Sequence, residues 1–281
     1  MKNTTTLLVI EPSTSDTFIA TQAEQALAQN THLSVLMIGQ QPVLPSYAYG
    51  GSMYGSIAIP DDWAQITTTA RTALIKREMQ VKTVLSSNGA SSDVQSLLCA
   101  SMDIKEIVAQ HSRVCDIAHI VTEAEGLSDA MRQAAHGILF KSPVALMLNA
   151  SPSKPVSSVF VAWNNGDTAS KAVHLALPYL LEAHEVVIGC FDPVTTAARD
   201  GLDPGTDVAA WLSHHGCNVT VSQFPTGGKE VAECILHRAK EQGAGLVVMG
   251  AYGHARMMEA IFGGTTCTML DQTEMPVLLA H

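Results

Sequence analysis

A spacing of glycines and threonines near the end of the chain could hold an anion. After the apolar run Leu-Val-Val-Met, the chain has the pattern G-x2-G-x9-G, followed by one more glycine and two threonines. Glycine lets backbone N–H groups approach an anion closely, and the free N–H groups at a helix start bind phosphate without a lysine. The spacing therefore predicts a phosphate-binding loop between a buried strand and a helix. Its residues are Met249, Gly250, Gly253, Gly263, Gly264, Thr265 and Thr266.

Two cationic side chains, His254 and Arg256, lie within this loop and could either contact a terminal phosphate or face water. Lys229 follows two glycines at the start of a predicted helix, where a solvated position is favoured. The loop matches neither G-x4-G-K-[ST] nor G-x-G-x-x-G. A P-loop and a dinucleotide fingerprint are therefore disfavoured.

Other reaction chemistry has little support in the sequence. There is no G-x-S-x-G elbow, and the carboxylates Asp167 and Glu259 do not form an evident acid–base pair. None of the eleven histidines is spaced H-x3-H, and no two of the six cysteines are spaced C-x-x-C. We therefore expect packing thiols, surface histidines and no metal site.

The chain repeats one alternating pattern of strands and helices. Apolar runs predict strands at 7–10, 33–38, 94–99, 117–121 and 143–148, and again at 158–163, 185–190, 218–223, 246–249 and 276–280. Helical periodicity predicts helices at 17–29, within 61–84, at 104–111, 168–183, 207–215, 229–242 and 265–271, with Asp167 as a cap. Such alternation gives parallel sheets covered by helices. The predicted fold class is α/β, with two similar domains, each a five-stranded parallel sheet with helices on both faces.

Two segments interrupt this pattern of strands and helices. A short polar, proline-bearing stretch at 149–155 predicts a linker between domains at 1–150 and 156–281. The segment 41–60 is rich in Gly, Ser and Tyr and lacks periodicity, so it reads as a surface loop, or alternatively as a cover or a partner contact.

The amino-acid composition argues against two classes of binding partner. The 281 residues are 47% hydrophobic and 15% charged, with a formal net charge of −10. An acidic chain without a basic stripe is a poor binder of nucleic acid or membrane surfaces. No apolar run is long enough to span a bilayer. These features predict a cytoplasmic protein with neither nucleic-acid nor membrane partners.

The glycine spacing, its threonines and the final Pro-Val-Leu-Leu strand resemble the universal stress protein family. The resemblance is strong over 157–281 and weak over 1–150, so the chain resembles a tandem member. It implies an adenine-nucleotide alpha-hydrolase-like fold and an ATP site at the carboxyl ends of the strands. Phosphates would lie in the glycine loop. Adenosine would lie near residues of the first and second strands, Trp163, Asn164, Cys190 and Phe191.

This sequence departs from the family pattern at three places. Asn164 stands where the family has an aspartate, which removes a carboxylate for magnesium or ribose and argues against magnesium and tight ATP binding. Gly264 replaces the usual hydroxyl residue, with threonine one place later. In the first half, the segment 122–126 replaces the loop with two glutamates that would repel phosphate. The first half is therefore interpreted as a degenerate, non-binding copy.

Three functions remain open from the sequence. One is a stress-response protein in which ATP or a related adenine nucleotide binds to the second half as a regulatory event. Another is a nucleotide-free interaction scaffold, in which segments 143–148 and 276–280 pair with each other or across a homodimer. The third is a weak ATPase, although the sequence shows no apparatus for phosphoryl transfer.

Overall fold

The computed structural model describes residues 4–44, 59–120, 126–149, 156–196, 202–251 and 264–281. In the first half the elements are β1 (Thr4–Ile10), α1 (Asp16–Gln29), β2 (Thr31–Gln40), α2 (Trp63–Ser87), β3 (Ser92–Cys99), α3 (Ile104–Ser112), β4 (Ile117–Ile120), α4 (Asp129–Lys141) and β5 (Ala145–Leu148). In the second half they are β6 (Ser158–Ala162), α5 (Asp167–Glu182), β7 (Glu185–Phe191), α6 (Thr206–His214), β8 (Val219–Phe224), α7 (Val231–Glu241), β9 (Leu246–Gly250), α8 (Gly264–Asp271) and β10 (Val277–Ala280).

All ten strands form one sheet in the order β3-β2-β1-β4-β5-β10-β9-β6-β7-β8. Each half contributes five parallel strands in the same order, which confirms the predicted fold class. The halves meet where β5 and β10 pair antiparallel, with Leu148 opposite Val277 and Leu146 opposite Leu279. The two last strands therefore pair within one chain, and each has a neighbour on both sides. The predicted boundaries at 150 and 156 stay a prediction, because 150–155 lie outside the described residues.

Helices cover both faces of the sheet because side chains alternate along each strand. Leu7 and Val9 of β1 point to the face covered by α3, α4, α7 and α8. Leu8 and Ile10 point to the other face, where α1 and α2 cover the first half and α5 and α6 the second. The first of these buried clusters is continuous across the junction between the halves.

Helix boundaries show three differences from the sequence predictions. Helix α4 was not predicted, although Ser128 accepts a hydrogen bond from Met131 N as a side-chain N-cap. Asp167 is the first residue of α5 and not its cap; the N-cap is Gly166, which has no side chain to accept a hydrogen bond. Lys229 precedes α7, because the chain enters the helix only after extended backbone at Glu230.

Within the described residues, no helix is both long enough and apolar enough to cross a membrane. Most of the segment 41–60 lies outside the described residues, so its predicted role as a loop, a cover or a partner contact stays a prediction.

Candidate functional site

The predicted site lies at the carboxyl ends of the parallel strands in the second half. Strands β6, β7 and β9 end there, and helices α5 and α8 begin after β6 and β9. Such an edge is where open α/β sheets bind ligands. Four predicted residues, Gly253, His254, Arg256 and Gly263, lie in 252–263, outside the described residues. Their placement in a phosphate loop stays a prediction.

Gly250, the last residue of β9, packs tightly against the start of α5. A Cβ atom on Gly250 would lie 2.5 Å from both the backbone nitrogen of Ala169 and the Oγ1 of Thr168. A real Cβ does not approach other heavy atoms so closely, so only glycine fits without moving the helix. The preceding residue, Met249, is buried in the core. The first glycine of the motif therefore has a packing role that fixes the helix start at the strand end.

Thr168 is a residue of this edge that the sequence analysis missed. Its hydroxyl is buried and has no hydrogen-bond partner among the described residues. It lies in the first turn of α5, whose N-cap supplies no side-chain hydrogen bond. The sequence feature that could have identified Thr168 is its hydroxyl side chain in the first turn of the helix that follows the first strand of the second half.

Asn164 shapes the turn that leads into α5. Its side chain is exposed, and its Oδ1 accepts a hydrogen bond from the backbone N–H of Gly166 at 3.1 Å. The next residue, Asn165, has a positive φ of 57°, a conformation that asparagine tolerates better than most residues. Asn164 thus forms a local turn of the kind that short polar side chains favour.

The other three residues assigned to adenosine are divided between the two faces of the sheet. Trp163 and Cys190 belong to one buried cluster, and the indole Nε1 of Trp163 is buried without a partner among the described residues. Phe191 packs on the opposite face, with its ring centroid 5.5 Å from that of Phe224. Roles in adenosine binding stay predictions for all of these residues.

The start of α8 combines open backbone with a nearby carboxylate. Gly264 is exposed, Thr265 is half-buried and Thr266 is buried. An Oε2 atom of Glu230 lies 3.9 Å from the position that a Cβ on Gly264 would occupy. A negative side chain at this distance opposes a second negative charge beside Gly264.

The chain directly after β9 is already used in internal hydrogen bonds. Ala251 donates its backbone N–H to the carbonyl of Ala280 at 2.8 Å. The carbonyl of Ala251 lies 3.0 Å from Nδ1 of His281. Any anion-binding amides of the loop must therefore come after Ala251.

The equivalent edge of the first half is closed by the chain itself. Ser15 caps α1 by accepting a hydrogen bond from Phe18 N. Arg77 of α2 reaches over the same turn and donates to the carbonyls of Pro12 at 3.0 Å and Thr14 at 2.6 Å. It also forms a 2.7 Å ion pair with Asp16, the first residue of α1. The two predicted glutamates of this half lie in 121–125, outside the described residues.

Metal ligands do not gather at either edge in the part of the chain that the structure describes. No group of three or more His, Cys, Asp or Glu side chains there could hold a metal ion. Asp192, a carboxylate directly after β7, already accepts hydrogen bonds from the backbone N–H and the hydroxyl of Thr226.

Comparisons with known proteins place this architecture in a recognised structural class. No protein-family model matches the sequence, and no curated protein matches it. A solved universal stress protein from Archaeoglobus fulgidus DSM 4304 matches with a TM-score of 0.65 and 15% identity, over 98% of this chain and 97% of that chain. A functionally unknown protein from Pseudomonas aeruginosa PAO1 matches with a TM-score of 0.54 and 14% identity, over 98% and 92%.

The class is thus a ten-stranded α/β protein made of two like halves. Its fold is that of the universal stress proteins, which confirms the resemblance drawn from the glycine spacing at the level of fold. A universal stress protein solved in complex with cAMP covers 46% of this chain with a TM-score of 0.35, a likeness too weak to bear on the ligand of this protein.

Proposed function

We propose that the second half binds an adenine nucleotide, ATP or a relative, at the carboxyl edge of β6, β7 and β9. Binding, rather than turnover, is the functional event, and it serves a stress response in the cytoplasm. The observation that carries this proposal is an asymmetry between two equivalent helix starts. The start of α1 is capped by Ser15 and clamped by Arg77, whereas the start of α5 has neither feature among the described residues.

An uncapped helix start offers N–H donors and the positive end of the helix dipole, both of which stabilise phosphate. At α5 the buried Thr168 hydroxyl adds one donor that the described residues do not use. Buried hydroxyl groups seldom lack a partner in folded proteins. A phosphate oxygen at the first turn of α5 would supply that partner.

The described residues favour phosphate at one helix start of this edge and disfavour it at another, which restricts how ATP could bind. Glu230 beside Gly264 disfavours a phosphate directly at the start of α8. At the start of α5, the acidic residue of the first turn is Asp167, which is exposed. The phosphates are therefore proposed to lie between the α5 start and the glycine loop 252–263.

The described side chains at the edge support binding without efficient hydrolysis. Phosphoryl transfer to water requires a group that positions the water and charges that stabilise the transferred phosphoryl group. The carboxylate of Asp192 accepts hydrogen bonds from Thr226. Asn164 stands where the resemblance implies an aspartate, and it offers no carboxylate to a metal. Magnesium is accordingly not a required part of the proposed complex.

Equilibrium binding of radiolabelled ATP, with and without magnesium, tests the proposal. We expect the wild-type chain to bind ATP in both buffers, and Gly253→Val and Gly263→Val to weaken binding while urea unfolding stays close to wild type. Phosphate release should remain at the level of the buffer blank. No ATP binding by the wild-type chain, or unchanged affinity in both variants, would exclude the assigned loop.

A further inference from the structure

A cavity of about 220 Å³ lies between the two halves, where the strands of the first half begin. Its floor is the amino-terminal part of β1, β2, β4 and β5, which contribute Thr6, Thr31 and His119 among others. Helix α1 forms one wall, with Gln22, and helix α5 of the second half forms another, with Tyr179. The cavity is large enough for several water molecules or for one small organic molecule.

Several polar side chains that line this cavity lack hydrogen-bond partners within the described residues. Gln22 is 5% exposed and His119 is 7% exposed, yet neither makes a side-chain hydrogen bond to a described residue. The same holds for the hydroxyl groups of Thr6 and Tyr179, whereas Thr31 bonds Thr4 at 2.9 Å. Polar groups inside a folded protein are almost always hydrogen-bonded, so the available partners of these side chains are molecules that enter the cavity. This concentration of unused donors and acceptors on one cavity points to a ligand.

The charge of the lining excludes an anion. Burial lowers the pKa of His119 to about 4 and raises the pKa of Tyr179 to about 12, so both side chains are neutral at pH 7. Most of the α1 lining residues and all of the α5 lining residues lie in the carboxyl-terminal halves of their helices, and that end of a helix carries partial negative charge. No lysine or arginine lines the cavity in the described part of the chain.

A cation is also poorly matched. Asp116 is the single carboxylate among the described residues of the lining, and it is exposed. Its Oδ2 already accepts a hydrogen bond from the backbone N–H of Thr5 at 2.7 Å. A charge placed deeper in the cavity would lack a buried counter-ion, which costs far more than burying a neutral hydrogen-bonded group.

We propose that this cavity is a binding site for a small uncharged molecule that carries both hydrogen-bond donors and acceptors on an apolar frame. Gln22 offers an amide, His119 an imidazole and Tyr179 a hydroxyl, while Leu175 and Pro178 provide apolar contact. Because the walls come from both halves, a bound molecule bridges them and stabilises their relative arrangement. The described lining shares no residue with the proposed nucleotide site, and this proposal does not rest on the proposed function.

Nicotinamide is a suitable probe, because it is a small neutral ring with an amide group. Its carboxylate counterpart, nicotinate, keeps the shape and adds a negative charge. Saturation-transfer NMR on the full chain at millimolar concentrations should show saturable binding of nicotinamide and none of nicotinate. ATP should not displace nicotinamide, since the described lining residues of the cavity include no residue of the proposed nucleotide site.

Variants of two lining residues test whether nicotinamide binds in this cavity. Gln22→Leu keeps the volume and removes the amide, and Tyr179→Phe removes only the hydroxyl; each should weaken nicotinamide binding roughly tenfold, the loss of about one hydrogen bond. Gln95→Leu, the same change at an exposed position of β3, is the control and should bind as wild type. The proposal is overturned if wild type does not bind nicotinamide, if nicotinate binds equally, if ATP displaces the probe, or if both lining variants bind as the control does.

Discussion

The hydroxyl of Thr168 at the start of α5 lies 2.5 Å from the point that a Cβ on Gly250, at the end of β9, would occupy. Because Gly250 has no side chain, the end of β9 and the start of α5 pack in direct contact. In the sequence, these residues are 82 positions apart (250 − 168 = 82). Their contact places the first glycine of the spacing motif beside an uncapped helix start, the arrangement on which the nucleotide proposal depends.

Replacing Gly250 should therefore destabilise the protein. In Gly250→Ala the added methyl group overlaps the backbone of Ala169, so α5 must shift, and overpacking of this kind costs about 1–3 kcal/mol. Urea unfolding measures the loss. Gly264→Ala is the control, because a Cβ there meets no atom of the described residues closer than 3.9 Å. Equal stability of the two variants would contradict the contact described here.

Arg77 should be important for the stability of the first half. Arg77→Met removes hydrogen bonds to two carbonyls and the ion pair with Asp16, and we expect a loss of about 1–3 kcal/mol in the free energy of unfolding. Arg71→Met, at an exposed position on the same helix, should change it by less than about 0.5 kcal/mol. A loss for Arg77→Met as small as that for Arg71→Met would show that the clamp does not stabilise the fold.

The buried imidazole of His119 should make stability depend on pH. Burial lowers its pKa from 6.5 to about 4, so between these values the unfolded chain binds a proton that the folded chain does not. Stability from this group is therefore present above pH 6.5 and is lost as the pH falls towards 4, by up to roughly 1.4 kcal/mol per pH unit.

The measurement is urea unfolding of wild type and His119→Gln across this pH window. Burial also lowers the pKa values of His111 and His136, so wild type and variant share part of the slope. The difference between the two proteins isolates His119. Parallel pH profiles would refute the assignment of a neutral buried imidazole.

Asn149 should strengthen the connection between the halves. It follows β5, has a positive φ of 53°, and donates from Nδ2 to the carbonyls of Gln272 at 2.8 Å and Met275 at 3.3 Å. Asn149→Ala loses both hydrogen bonds and strains the backbone, so we expect a loss of about 1–3 kcal/mol.

Asn149→Gly separates these two effects by thermal unfolding. Glycine adopts positive φ freely, so this variant should lose only the hydrogen bonds and melt between wild type and Asn149→Ala. A glycine variant as stable as wild type would mean that the hydrogen bonds contribute nothing.

Much of the fold could be predicted because apolar runs and helical periodicity report burial directly. Strands such as Leu246–Gly250, buried on both faces, stand out as continuous apolar runs. The same reasoning could not predict the first residues of some strands, because those residues are polar and do not raise local hydropathy. Strand β1, for example, begins at Thr4, whose hydroxyl forms a hydrogen bond with that of Thr31. Helix α4 was missed although Ala130, Ala134 and Ile138 recur at helical spacing and Ser128 is a recognisable cap.

The candidate site could be predicted less completely, because its features depend on contacts between distant residues. The glycine spacing identified the edge of the sheet, but nothing near Arg77 in the sequence indicates that it clamps the turn before Asp16. The packing role of Gly250 and the unpartnered hydroxyl of Thr168 likewise arise only when β9 and α5 meet.

Titration of ATP into Thr168→Val and Thr17→Val tests the central claim most directly. Both threonines are the second residue of the helix that follows the first strand of their half, α5 and α1 respectively, and valine keeps their shape. The account predicts that Thr168→Val weakens ATP binding about tenfold, through the loss of one hydrogen bond to phosphate, and that Thr17→Val binds ATP as tightly as wild type. Equal ATP affinities for wild type and both variants, or a loss confined to Thr17→Val, would contradict it.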